Sequence, residues 1–369
     1  MAFYADKDYT QDQEILNAMQ EVMQGHLTLH WYDANTERIK GKPADYRRGL
    51  TYRDLDVGSY GYTDVPEDLR RHQSMAARGS EKWGKLPDMG YLVNRKSEVW
   101  SDNVVDLYEE DKSRRWAPAV DVPWTAADAP GPEVEAACAQ LYTFLQECAL
   151  VSLDFPSRWV PLVNQEFLEL KSFMCAQMLD WARLLEAFRK RALMGGHGLK
   201  RASAAAEQGL KEWLWAETYP QGSLSINLSL AGFLLAVFRQ VAAFAPRKAD
   251  RVLMGFAMQD AGRQVAYGLG ALRYLLSHRP AQKVAIEEYL DQTEHVMVAL
   301  FGSPELLEPM IVICGGGLES AQIGAGRSAT AKFIRLAVRE YLERLEAAGL
   351  SGRSTRSRIP AVVARIATS

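Results

Sequence analysis

The chain has 369 residues, is 48% hydrophobic and 24% charged, and carries a formal net charge of −3. That length is enough for one large domain or two ordinary ones, and the composition excludes a mainly disordered chain. The near-balance of charge excludes the broad basic field of a nucleic-acid binder.

The opening MAFYADKDYTQDQE is acidic and polar and does not read as a signal peptide, so a cytoplasmic, reducing setting is expected. An amphipathic helix is predicted near residues 12–24. After it, Gly41-Lys-Pro43 and Asp56-Val-Gly58 break any long period. Residues 1–125 hold five of the nine tryptophans, Trp31, Trp83, Trp100, Trp116 and Trp124. They are expected to form an irregular aromatic-rich arm, partly helical and extended. The arm packs on its own domain or on a second subunit.

Residues 126–347 are expected to be helical almost throughout. Pro130-Gly-Pro132 precedes a helix of about 133–151, and Pro156 and Pro161 are expected to break the chain. A long helix is predicted near 163–193, stopping at Gly195-Gly196. Its apolar residues Phe167, Leu170, Met174, Met178 and Trp181 recur in steps of three and four. Further helices are predicted near 203–217, 223–244, 248–277, 281–300 and 326–347, a pattern that points to a helical bundle. The most apolar stretch, 223–244, has a dense run of only about 11 residues before Arg239, short of the ~20 of a membrane span, so a buried helix is expected. Gly315-Gly-Gly317 and Gly324-Ala-Gly326 are expected to mark a loop. The tail, 348–369, is basic. Its last 19 residues, 351–369, include Arg353, Arg356, Arg358 and Arg365 and no acid, and it is expected to be mobile or partner-bound.

Several chemistries are excluded. Cys138, Cys148, Cys175 and Cys314 form no CxxC, so neither a disulfide scaffold nor a zinc knuckle is present. No GxxxxGK[ST] and no GxSxG occurs, and Ser328 sits in neither. His197, between glycines, reads as a loop residue.

One internal echo carries the functional expectation. Residues 176–188 read AQMLDWARLLEAF and residues 258–270 read MQDAGRQVAYGLG. Each has Asp-x-x-Arg: Asp180 with Arg183, and Asp260 with Arg263. Three residues apart, each pair shares one helix face. Such pairs are ordinary when exposed and worth only a few tenths of a kcal/mol.

On a helical bundle, this echo resembles the ferritin-like diiron carboxylate proteins. These include ribonucleotide reductase small subunits, p-aminobenzoate N-oxygenases and the hydroxylases of bacterial multicomponent monooxygenases. In them, two core helices each carry Asp-Glu-x-Arg-His. The Glu and His bind iron, and the Asp and Arg support them. The resemblance covers roughly residues 130–300 and extends through Val265-Ala-Tyr-Gly268.

The departures are informative. Trp181 and Leu184 stand in the Glu and His positions of the first unit, and Ala261 and Gln264 in those of the second. None of the six histidines has a Glu three residues before it. The third core helix would donate a carboxylate, yet no Asp or Glu occurs between Glu217 and Asp250; Asn227 stands near the expected place. Glu147 is the one surviving candidate ligand. It is expected either as a buried carboxylate bonded by Gln264 or Arg263, or as a surface residue beside Cys148. Removing the buried charges spares a large desolvation cost, and Trp181 and Leu184 are expected to fill the space. Asp180, Arg183, Asp260 and Arg263 are expected to stay as buried structural pairs.

The resemblance therefore implies an all-α ferritin-like bundle without its own diiron site. It further implies a non-catalytic subunit of a diiron oxygenase, like the β subunit of multicomponent monooxygenases, with iron in a catalytic paralogue. The alternatives are an oxygenase active without a standard diiron site, using Glu147, Asp260, Gln264 and Tyr267, and a ligand-binding homodimer. Against the enzyme stands the lack of a histidine base in the core segments.

Overall fold

The computed structural model of the chain describes residues 11, 13–26, 43, 45–47, 49–55, 93–125, 128–164, 167–201 and 203–366. Trp31, Trp83, Gly41 and Asp56-Val-Gly58 lie outside them. The described elements are helical, with one isolated bridge between Val93 and Val163. In chain order they are α1 (Gln13–Met23), α2 (Tyr52–Leu55), α3 (Lys96–Val99), α4 (Val104–Ser113), α5 (Pro132–Trp159), α6 (Leu168–Leu193), α7 (Ala204–Leu214) and α8 (Tyr219–Ser223). There follow α9 (Ala231–Phe244), α10 (Lys248–His278), α11 (Gln282–Phe301), α12 (Pro304–Gly315), α13 (Ser320–Ala347), α14 (Arg353–Arg356) and α15 (Ile359–Ile366). A π-helical turn, Leu224–Leu230, joins α8 to α9.

The chain divides into two compact units. The first comprises residues 1–96 and 159–172. In it Val93 N–H donates to the Leu162 carbonyl at 2.9 Å, and Asn164 N–H returns the bond to Val93 at 3.0 Å. Asn164 Nδ2 also donates to Asn94 Oδ1 at 3.0 Å. The Tyr52 hydroxyl bonds the Leu168 carbonyl at 3.2 Å and meets the Ser172 hydroxyl.

The second unit comprises residues 97–158 and 173–369. In it α9 lies along α10, α12 along α13, α7 against α11, and α15 against α11 and α13. The local chemistry explains the helix ends. The Ser203 hydroxyl caps α7 by accepting from Ala206 N–H at 3.1 Å. Thr218 and Gln221 form a capping box before α8. Gly316, at φ +82°, ends α12 in the left-handed conformation that glycine tolerates. Trp181, Trp213, Tyr142, Tyr219, Tyr267 and Phe173 are among the large side chains fully buried in the core.

Four expectations are corrected. Residues 97–125 belong to the helical unit, not to an arm ending at 125. Tyr267 hydroxyl donates to the Val99 carbonyl at 2.6 Å, and Asn103 Nδ2 to the Ala266 carbonyl at 3.3 Å, tying this stretch to α10. Pro156 does not break its helix: α5 runs through it to Trp159. Gly324-Ala-Gly326 is not a loop but the second turn of α13. A Cβ on Gly326 would collide with the Ile311 carbonyl, and one on Gly315 with the Gln322 carbonyl, so these glycines let α12 and α13 touch backbone to backbone. The C-terminal segment is not a free tail, because Arg353 is completely buried.

The segment Tyr219–Phe244 is long and apolar enough to cross a membrane, and 72% of its most apolar window is buried inside the protein.

Candidate functional site

The two Asp-x-x-Arg units meet in the interior. Their spacing sets each pair on one helix face, and α6 and α10 bring the faces together. Asp180, Arg183, Asp260 and Arg263 are all buried. Arg263 Nη2 reaches Asp260 Oδ1 at 2.5 Å, Asp180 Oδ2 at 2.9 Å and Asp111 Oδ1 at 3.1 Å. Arg183 Nη2 pairs with Asp180 and lies 3.4 Å from Asp260 Oδ2 and 3.8 Å from Asp111 Oδ1. Trp116 Nε1–H donates to Asp260 Oδ2 at 2.9 Å, and Gln264 Nε2 to Asp180 Oδ2 at 3.3 Å. The site is thus three carboxylates wrapped around two guanidinium groups.

Burial dominates its electrostatics. It pushes Asp180 up to about 8, with help from the neighbouring Asp260 charge and against the pull of Arg263. It also raises Asp260, against the opposing pull of Arg263. Burial opposes the charge on Arg263, but Asp180 and Asp260 outweigh it and hold its pKa above the ordinary arginine value.

Around this cluster lie the four positions that carry ligands in the family resembled. Trp181, Leu184, Ala261 and Gln264 are all buried, at 1%, 0%, 0% and 1% exposure. Trp181 Nε1 and Gln264 Oε1 have no hydrogen-bond partner. Asn227 sits on the π-helical turn, where its Oδ1 accepts from Gln177 Nε2 at 2.5 Å and its Nδ2 donates to Ser223 Oγ at 3.0 Å. The close pass of α10 at Gly268 leaves an added Cβ only 3.0 Å from Asn227 Cβ. Nearby, the buried hydroxyls of Tyr219 and Tyr267 bond at 2.6 Å. Glu147 is half-buried and accepts from Gln146 Nε2 at 3.0 Å. Among the described residues neither Gln264 nor Arg263 bonds it, and its half-buried position is neither that of the buried carboxylate nor that of the surface residue expected.

A diiron centre needs four carboxylates and two histidines converging on one space. Here the six positions hold Trp181, Leu184, Ala261, Gln264, Asn227 and Glu147, which is a donor set that does not fit. Among the described residues no three His, Cys, Asp or Glu side chains form a group suited to a metal ion. The cations among the buried aspartates are Arg183 and Arg263.

Sequence reasoning missed Asp111 and Trp116, which complete the cluster from outside the repeated motif. It also missed two further ionic knots. Arg191, fully buried, bonds Glu135 Oε1 at 2.7 Å and Asp250 Oδ1 at 2.6 Å, while Tyr142 hydroxyl donates to Asp250 at 2.8 Å. Arg353 bonds Glu287 at 2.9 Å, Asp291 at 2.7 Å and Glu294 at 2.7 Å, all on α11. No local signal marks these partners, since each lies more than fifty residues away in the chain.

No protein-family model matches the chain, and no curated protein matches it in sequence. Solved structures do. A valine-to-leucine variant of an R2-like ligand-binding oxidase, with aerobically reconstituted Mn/Fe cofactor, matches with a TM-score of 0.51 and 15% identity, over 68% of this chain and 95% of that one. A tyrosine-to-phenylalanine variant with anaerobically reconstituted Mn/Fe cofactor matches at 0.50 and 15% identity, over 67% and 94%. At that identity the likeness is one of fold. The buried helices, the paired Asp-x-x-Arg units and these neighbours agree: the chain has the all-α, ferritin-like fold of the R2-like oxidases.

Proposed function

We propose that this chain is a metal-free, non-catalytic structural or regulatory subunit of a heteromeric diiron oxygenase, a monooxygenase or an N-oxygenase, working in the cytoplasm. The diiron centre belongs to a paralogous partner subunit. One observation carries this proposal: the fold of a metal oxidase is kept while its ligand positions are filled by buried Trp181, Leu184, Ala261 and Gln264. Among the described residues, the Asp-Arg pairs that steady metal ligands in the family resembled bind one another, Asp111, Trp116 and Gln264. A partner is also suggested by α1, which leaves Leu16, Met19, Val22 and Met23 exposed, Met23 at 86%. An exposed apolar helix face of this kind suits association.

The test has two arms. The purified chain is incubated with Mn(II) and Fe(II), aerobically and anaerobically, and its metal content measured after desalting. Sub-stoichiometric metal is the expected result, and stoichiometric binding overturns the proposal. The chain is then co-expressed with a paralogue carrying two intact Asp-Glu-x-Arg-His units. A defined heteromer whose oxygenase activity needs both chains supports the assignment. A homodimer that consumes O2 alone overturns it in favour of an independent enzyme.

A further inference from the structure

Three buried polar atoms around the ligand positions have no hydrogen-bond partner among the described residues: Gln177 Oε1, Trp181 Nε1 and Gln264 Oε1. Each of the three residues is 1% exposed. An unpaired polar atom at that depth is costly, and such atoms are normally met by protein or by an ordered water.

The neighbouring bonds fix which end of each amide is free. Gln264 Nε2 donates to Asp180 Oδ2 at 3.3 Å. Turning that amide over would set its oxygen against a carboxylate oxygen, so Oε1 faces the other way. Gln177 Nε2 donates to Asn227 Oδ1 at 2.5 Å, and Asn227 Nδ2 to Ser223 Oγ at 3.0 Å. That leaves Gln177 Oε1 as a second free acceptor. The Trp181 indole is a donor only.

The helices bring the three together. Gln177 and Trp181 are four residues apart on α6, and Gln264 and Gly268 four apart on α10. Each pair shares one helix face over a single turn of about 5.4 Å. The two faces meet at both ends of that turn. Asp180, next to Trp181 in the chain, holds Gln264 at one end. At the other, Gln177 bonds Asn227, whose Cβ lies 3.0 Å from where a Cβ on Gly268 would stand. A water bonded to two groups spans about 5 Å between them, which matches one turn.

We propose that Gln177, Trp181 and Gln264 bind one ordered water, beside two of the positions that carry metal ligands in the family resembled. The water accepts from Trp181 Nε1 and donates to Gln177 Oε1 and Gln264 Oε1. It is the small ligand that fits, with two hydrogens for two acceptors and a lone pair for one donor. A metal ion would take the amide oxygens but not the indole N–H, and an ammonium ion has no lone pair for that N–H either. The assignment does not depend on the subunit role.

A crystal structure of the full chain, incubated with Mn(II) and Fe(II) and measured also at the Mn and Fe absorption edges, tests this. One density peak within hydrogen-bond distance of all three atoms is expected, with no anomalous signal. An anomalous signal there overturns this assignment and the metal-free proposal together. Absence of density, or a protein side chain in its place, overturns the water alone. In solution, the Trp181 indole N–H, assigned by its loss in Trp181→Phe, is expected to show an NOE to water with the sign of a long-lived bound molecule. Its absence from the wild-type chain overturns the proposal, whatever the variants do. Gln264→Leu removes one acceptor and is expected to weaken that NOE several-fold. An undiminished NOE in this variant overturns the three-partner geometry.

Discussion

The indole of Trp116 donates to Asp260 Oδ2 at 2.9 Å, across 144 residues of sequence. The same ring stacks on Phe256 with centroids 4.8 Å apart and lies 5.4 Å from the Arg183 guanidinium. Trp116→Phe keeps an aromatic ring for the stack and removes the donor. It is expected to cost about 1–3 kcal/mol, the range for leaving a buried charged acceptor short of one hydrogen bond. Urea unfolding measures it, and a neutral result means Arg183 has taken over the vacant oxygen.

Trp181 gives the opposite case. Its Nε1–H is buried without an acceptor among the described residues. Trp181→Phe removes that orphan donor and leaves a smaller void than truncation, so a change within about 1 kcal/mol is expected. Trp181→Ala empties the position and is expected to cost about 3–5 kcal/mol. Thermal unfolding of the two variants side by side checks whether the indole acts as filler.

The α12–α13 contact yields a matched pair of substitutions. Gly326 has the Ile311 carbonyl where a Cβ would stand, whereas Gly324, two residues earlier on the same helix, has open space. Gly326→Ala is expected to destabilise by about 1–3 kcal/mol or more, as overpacking does. Gly324→Ala is expected to stabilise by about 0.5–1 kcal/mol through helix propensity. Equal melting temperatures would remove the close approach of the two helices.

Arg353 holds the C-terminal segment against Glu287, Asp291 and Glu294. Arg353→Ala strands buried carboxylates and is expected to cost about 3–5 kcal/mol. Arg353→Lys is expected to rescue little, because one ammonium group cannot reproduce the fork that spans three acids. Limited proteolysis reads the effect, with cleavage moving into residues 350–366.

Asp180 sets the direction of the alkaline limb of stability. Burial raises its pKa to about 8 in the folded chain, from the ordinary value of 3.8. Between those values the native state binds the extra proton, so this contribution is complete below the lower value and is lost as the pH rises through the upper one. Melting temperature is expected to fall from neutral to alkaline pH. Asp180→Asn is expected to flatten that fall.

The bundle was legible because helices repeat: apolar steps of three and four mark the core face, and Asp180 with Arg183 falls on one face by spacing alone. The positions of Trp181, Leu184, Ala261 and Gln264 were picked out by the resemblance of the two Asp-x-x-Arg units to the family's Asp-Glu-x-Arg-His, and all four side chains are buried. Asp111 was not, because nothing local distinguishes a buried aspartate at the end of a short helix from a solvated one. Pro156 misled because a proline costs a helix one hydrogen bond but does not forbid it when tertiary packing carries the helix onward. Gly324 and Gly326 look alike in sequence, and only the neighbour across the gap separates a tolerant site from an intolerant one. Arg353 sits in a run of basic residues that resembles a solvated tail until its acidic partners on α11 are seen.

The π-helical turn Leu224–Leu230 has a consequence for how this molecule tolerates change. Such a turn accommodates a residue in excess of regular α winding, and each α-helical residue accounts for about 100° of rotation. Loss of a single codon within it would regularise the winding and swivel α9 about its own axis. The lining that α9 presents to α10 would then be scrambled without one substitution in α9 itself. Alanine replacements in the same seven residues are a milder insult, so deletion and substitution tolerance should diverge sharply at this one spot.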